Sequence, residues 1–458
     1  MIKKIVLAIL FLTVICQNSF SQKKIWDETE EAKKERMQWW TDARFGMFIH
    51  WGLYAQAARH EKVKKYEKMS DEEYQKYFEV FNPDLFDPTE WAKKAKAAGM
   101  KYAVITTKHH DGFCMFDSEY TDFDITSTPY KKDIIREWVD AFRAEGLGIG
   151  FYYSLIDWHH PEFTIDKVYP KKSNYTPKEY DELNKGRDMS IYREYLKNQV
   201  REILTNYGKV DVLWLDYSYP GKFGKDKDDW GAIELMKMVR NLQPGILVND
   251  RSDLKEYAGG WDFTTPEQFK VQKWPEENGV RIPWETCQTF SGSWGYYRDE
   301  HTWKDKKQLL VLLIESVSKG GNVLLNIGPT ARGTFDHRAD KALEQMGEWM
   351  KYNSRSIYEC TQAPSEFLIP DNTLLTYNSK TNRLYVHLLD YPMKNFLMRG
   401  FGGKVKYAQF LHDASEIKVG KPYGHWVQQE TSDNDINLIL PTNKPNVEIP
   451  VIEIFLKE

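Results

Sequence analysis

The sequence predicts an α/β protein in which a (β/α)8-like TIM barrel is followed by a C-terminal all-β sandwich. Three observations carry this. Short apolar runs alternate with amphipathic segments through most of the 458 residues, the pattern of a parallel sheet with helical crossovers. Nearly every apolar run ends in a polar or ionisable residue. A barrel keeps its chemistry at those strand ends, whereas a doubly wound sheet gathers it at one switch point, usually behind a glycine-rich phosphate loop that this chain lacks. After about residue 358 the helical pattern stops and alternating strands take over.

In chain order, residues 1–21 read as a secretory signal: Lys3 and Lys4, an apolar run to Cys16, then the small residues Ser19 and Ser21. The run is too short to span a bilayer, and Ile15 before Cys16 is larger than lipid-attachment sites prefer. The expectation is therefore export to the periplasm or beyond, without a membrane span. Residues 22–357 form the expected barrel. A helix over Asp27–Trp40 leads in, and strands follow at Phe45–Gly52, Tyr102–Thr107, Ile149–Leu155, Val210–Tyr217, Ile246–Asp250 and Asn322–Ile327. Helices are expected over Pro88–Ala98, Asp133–Glu145, Asp188–Tyr207 and Trp303–Lys319, each followed closely by glycine. Residues 358–458 form the β domain, with strands such as LLTYN, LYVHLL and VIEIFLK.

The 63 basic and 67 acidic residues give a net charge of −4, spread along the chain, so a nucleic-acid partner is not expected. Outside the signal, Cys114, Cys287 and Cys360 have neither disulfide nor zinc spacing. Aromatics reach 14%, enough to fill a core and also to line a surface that stacks on sugar faces.

An exported, aromatic-rich barrel without metal or nucleotide motifs points to glycoside hydrolysis, which needs two carboxyl groups and no cofactor. Asp216 ends VDVLWLDY on the same side as Val212 and Trp214, so a charge sits at the strand's C-terminal rim. Glu267 in WDFTTPEQF and Glu285 in IPWETCQTF are both candidates for the proton donor, and their aromatic neighbours do not separate them. His109 and His110 lack a third ligand at helical spacing and read better as hydroxyl-binding imidazoles than as metal ligands. His50 gains interest only from its strand-end position. A glycan-binding barrel without catalysis, and a metal-dependent hydrolase on the three histidines, are the competing readings.

In order, FGMFIHWG, KYAVITTKHHDGF, GFYYSLIDWHHP, VLWLDYSYPG, VNDR, TPEQF, SGSWGYYRDE and SKGGNVLLNIGP resemble the α-L-fucosidases of glycoside hydrolase family 29. The resemblance implies an exo-acting retaining fucosidase on fucosylated oligosaccharides or glycoconjugates, or a glycosidase of a related sugar. It gives Asp216 as nucleophile and Glu267 as acid/base, with Glu285 in reserve. It also implies substrate contacts from His50, Glu61, His109, His110, Tyr153, Arg251 and Trp294, and no metal. Lys62 stands where the family commonly has tryptophan.

Overall fold

The computed structural model describes residues 23–170, 176–422 and 431–457, so the leader read at 1–21 lies outside the described residues. Seven parallel strands form the catalytic sheet: β1 (Phe45–Ile49), β2 (Tyr102–Lys108), β3 (Gly148–Ser154), β4 (Val212–Asp216), β5 (Leu247–Val248), β6 (Glu285–Thr289) and β7 (Asn322–Ile327). Their order is β6-β7-β1-β2-β3-β4-β5. The eighth position is an irregular segment, 262–267. Isolated parallel bridges join Phe263 to Asn249, Thr264 to Trp284 and Glu267 to Cys287, spanning the seam between β5 and β6. Pro266 has no N–H to donate, which interrupts a regular ladder; its carbonyl accepts from the Cys287 N–H at 3.2 Å.

Besides a helix at Asp71–Val80 in the connection after β1, seven helices of ten or more residues run with these strands among the described residues: α1 (Glu30–Ala43), α2 (Pro88–Ala97), α3 (Ile134–Ala144), α4 (Met189–Thr205), α5 (Ala232–Leu242), α6 (Lys306–Ser318) and α7 (His337–Asn353). Asp133, Asp188 and Asp305 lie just outside α3, α4 and α6, and their carboxylates accept the orphan N–H groups of Arg136, Ser190 and Gln308. Asp87 does the same for α2, accepting from the Glu90 N–H, so these four predicted helices begin at caps. Helices α5 and α7 were not anticipated.

The barrel interior is filled by Phe48, Val104, Tyr152, Val212, Trp214, Phe263 and Leu324. Met37, Trp40 and Ala43 of α1 join the same cluster from the end where the strands begin. The Trp40 carbonyl accepts from Asn322 Nδ2 at 2.8 Å, tying α1 to the first residue of β7. With that end plugged, the opposite mouth, where the strands finish, is left open to ligand.

The C-terminal part is all β. A five-stranded antiparallel sheet orders as 361–362, 373–378, 383–388, 451–456 and 405–410, and a three-stranded one as 395–398, 436–439 and 418–420. Their inner faces share an apolar core including Leu384, Val386, Phe401, Leu438 and Ile454. Tyr385, Leu411, Ile449 and Val451 belong instead to the barrel's outer core, and Trp349 Nε1 of α7 donates to the Ile449 carbonyl at 3.1 Å.

Candidate active site

Strand pairing decides what faces the mouth. β3 and β4 align Tyr152 with Trp214 and Ser154 with Asp216. Alternation then puts Tyr152, Trp214 and Asp216 inside. The Asp216 side chain is only 10% exposed, and both of its oxygens accept hydrogen bonds: Oδ1 from Arg251 Nη1 at 2.9 Å and Oδ2 from the Tyr152 hydroxyl at 2.7 Å. The other arm of the same guanidinium, Nη2, lies 2.8 Å from Glu267 Oε2. One arginine fork thus holds the two carboxyls that lie far apart in sequence.

Arg251 is itself fixed. Its Nε donates to Thr265 Oγ1 at 2.9 Å, and the guanidinium lies 4.5 Å from the centre of the Trp214 ring. Burial opposes its charge, but Asp216, Cys287 and Glu267 more than offset this and raise its pKa. Glu267 is less enclosed, at 39% exposure, which leaves it open to water and to a leaving group.

Backbone geometry marks the same two places. Tyr217 and Gln268, each directly after one of the carboxyl residues, have φ of 86° and 50°, in a region that side-chain-bearing residues rarely adopt. Such conformations cost of order 1–3 kcal/mol and persist only where the surroundings hold them.

The histidines are neutral acceptors or donors in place. His50 follows β1, and its Nδ1 lies 2.6 Å from Asn326 Oδ1. The Asn326 amide is oriented by donating to the Trp294 carbonyl at 2.7 Å, so His50 carries its proton on Nδ1 and presents a bare Nε2. Burial pushes its pKa down to about 3, against the Asn326 bond. Ser154 Oγ donates to the Ile156 carbonyl and so accepts from His110 Nδ1 at 2.7 Å. Burial, and after it the charges of neighbours, puts His109 and His110 well below the usual range. His109 Nδ1 and Glu61 Oε1 are buried without a partner among the described residues, and both side chains line the pocket. Buried polar atoms left unpaired are costly, and a ligand rich in hydroxyls would satisfy them.

Trp294 lies against His50, ring centres 5.0 Å apart. Gly295 and Gly328 let its loop settle over the mouth: a Cβ on Gly328 would fall 2.5 Å from the Gly295 carbonyl carbon. Of the residues singled out from sequence, Asp216, Glu267, His50, Glu61, His109, His110 and Trp294 line this one pocket, and Arg251 lies between its two carboxyls.

Two expectations are corrected. Tyr153 points to the opposite side of β3, into the helical layer, where its hydroxyl donates to Gln199 Oε1 at 2.8 Å. The pocket tyrosine is Tyr152, which the register between β3 and β4 aligns with Trp214. Glu285, held as an alternative proton donor, begins β6 and pairs with Asn322, at the plugged end. Cys287, two residues on, lines the pocket, so Glu285 lies about 7 Å lower along the strand. There it accepts from the Tyr102 hydroxyl and from Trp40 Nε1 at 3.3 Å, fully enclosed.

Burial pushes the Glu285 carboxyl up to about 7, against those two donors. Its folded pKa therefore lies above the unfolded value near 4.5, and folding takes up a proton between these limits. The stability linked to this proton is present below about pH 4.5 and is lost as pH rises through about 7. Urea titrations at pH 5 and pH 8 are expected to show a loss on the order of 3 kcal/mol in the native chain that Glu285→Gln does not share. Equal pH dependence in both proteins would refute the assignment.

Among the described residues no group of three or more His, Cys, Asp or Glu is placed to hold a metal ion. Two carboxyls joined at the open end of a (β/α) barrel, beside neutral imidazoles and aromatic walls, define a glycoside hydrolase site.

Comparison with known proteins narrows this. The α-L-fucosidase family model matches residues 12–355, and the chain belongs to that family, glycoside hydrolase family 29. It is 30% identical to the human plasma α-L-fucosidase, with 91% of this chain and 88% of that protein covered. Among solved structures, α-L-fucosidase isoenzyme 1 from Paenibacillus thiaminolyticus is 42% identical with a TM-score of 0.85, covering 93% of this chain and all of that one. A family 29 enzyme from Bacteroides thetaiotaomicron, trapped as a covalent intermediate with 2-fluoro-fucosyl fluoride, is 28% identical with a TM-score of 0.78, covering 93% and 96%.

Proposed function

We propose that this chain is an exo-acting retaining α-L-fucosidase in which Asp216 is the nucleophile and Glu267 the acid/base. The observation that carries the residue assignment is the single Arg251 fork on both carboxyls. Asp216 attacks the anomeric carbon of a terminal α-L-fucose while Glu267 delivers a proton to the departing oxygen, leaving a covalent fucosyl-enzyme. Glu267 then takes a proton from water, which attacks the same carbon and releases fucose with its configuration retained. The trapped intermediate of the Bacteroides enzyme supports the double displacement.

His50 Nε2 would accept from one sugar hydroxyl, and His109 Nδ1 and Glu61 Oε1 would find in others the partners they lack. Rings such as Trp294 would cover the methyl group that distinguishes fucose from galactose; a difference of that size is worth about 1–3 kcal/mol. Tyr152 holds the nucleophile. Tyr152→Phe is expected to lower kcat/KM about 10- to 100-fold through loss of a hydrogen bond to a charged group, while Tyr153→Phe lowers only the melting temperature. A large loss of activity with Tyr153→Phe alone would reverse the two tyrosines.

The deciding experiment is proton NMR of early turnover of an aryl α-L-fucoside. The α anomer of fucose is expected first; the β anomer first would overturn retention. The leader composition supports export to the periplasm or outside the cell. No helix among the described residues is long and apolar enough to cross a membrane. We place the division between catalytic and β domains at 357/358.

A further inference from the structure

The catalytic pocket opens past Glu61, Lys62 and Trp294 into a wider recess of about 640 Å³. Gln268, next to the proposed acid/base, is part of its wall, so the recess adjoins Glu267. Tyr66 and Trp303 supply rings, and Lys304 a second ammonium.

Lys62 is the unusual member. The other enclosed lysines of this end of the barrel are paired: Lys64 with Asp71 at 2.8 Å, Lys108 with Asp157 at 3.0 Å, and Lys225 with Asp166 at 3.0 Å. Among the described residues the Lys62 ammonium has no ion-pair or hydrogen-bond partner; a tyrosine ring, that of Tyr217, lies 6.0 Å away. Burial opposes its charge, yet Glu61 and Asp216 keep it an ammonium. The charge is thus supported at a distance while the ammonium's own three donors remain available to a ligand.

Neither acidic residue near this recess is within ion-pair distance of the Lys62 ammonium. Glu61 is 1% exposed, and its Oε2 accepts from the Gly295 N–H. Nearby Glu300 accepts from the His301 and Thr302 N–H groups and from the Thr302 hydroxyl. His60 is held neutral by burial. Lys304 donates one proton to the Thr289 carbonyl at 2.7 Å and has two left.

We infer that this recess is a leaving-group subsite for a hexose bearing an anionic substituent, a carboxylate or a sulfate ester, and that Lys62 is the residue that recognises it. The inference rests on the fucosidase reading above.

The test compares three disaccharides, α-L-fucosyl galactose, its 6-sulfate and the corresponding galacturonic acid, with an aryl fucoside as reference. In the native enzyme at low salt, kcat/KM for at least one anionic substrate is expected to exceed that for the neutral one about tenfold or more, as one charge-assisted contact allows. Preference for the sulfate alone or the uronic acid alone identifies which anion is read. The ratio should shrink with added salt, fall towards one in Lys62→Met and invert in Lys62→Glu. Equal or better cleavage of neutral fucosyl galactose by the native enzyme would refute the inference without touching the hydrolase assignment, and so would a ratio that survives Lys62→Met. Should the variants not fold, the native ratio and its salt dependence decide. Failure to cleave even the aryl fucoside would overturn the fucosidase reading itself, and this inference with it.

Discussion

Asp216→Gly is expected to reduce kcat/KM on an aryl α-L-fucoside by about ten-thousand-fold or more, because on the proposed mechanism the covalent step loses its nucleophile. The side chain it removes is one that Tyr152 and Arg251 hold in a single orientation, so the loss is of a positioned group. Glycine also leaves a space on the face from which Asp216 attacks. Azide entering that space should restore fucose release from an activated substrate and yield β-fucosyl azide, identified by NMR. Asp216→Asn keeps the shape and should be equally slow, separating lost chemistry from collapse of the pocket. Residual hydrolysis above about one per cent in either variant, with no azide adduct, would remove Asp216 from the mechanism.

Glu267→Ala should separate substrates by their leaving groups. General acid catalysis contributes about 10²- to 10⁴-fold, and that help matters most where the departing oxygen is a poor leaving group. Fucosyl oligosaccharides are therefore expected to lose activity across that range. An activated nitrophenyl fucoside should keep most of its first-step rate and accumulate the fucosyl-enzyme, detected as a burst and as a mass increase on Asp216. Uniform loss on both substrate types would mean that Glu267 positions Arg251 and does not transfer the proton. Glu285→Gln, by contrast, changes a carboxyl below the pocket floor and should leave the leaving-group dependence as it is.

Much of the site was legible because strand ends are local features. Asp216, His50 and the His109-His110 pair each close an apolar run, and a parallel barrel brings such ends to one face whatever the loops between them do. Helix limits were legible for a similar reason: aspartates capping first turns and glycines after last turns act within a few residues. The β domain also showed itself by period alone. What failed did so at contacts between distant segments. Either of the adjacent tyrosines 152 and 153 can face the pocket until the register with β4 is known, since a shift of one residue exchanges the two faces. The eighth barrel position, 262–267, is β-prone in sequence but forms no regular strand, contributing only isolated bridges around Pro266.

Composition, strand-end chemistry and the ordered motifs determined from sequence that this chain is a barrel glycosidase with Asp216 at its mouth, because these properties depend on residue type and on periods of two to four residues. Only the tertiary structure put Glu267 at the pocket and Glu285 below it, turned Tyr152 and not Tyr153 inward, joined two carboxyls on Arg251 and left the Lys62 ammonium without a contact partner among the described residues. These depend on which strand neighbours which, at which end and in which register, and hydrogen bonds across 35 residues, such as Arg251 to Asp216, follow from closure of the barrel and from no local pattern.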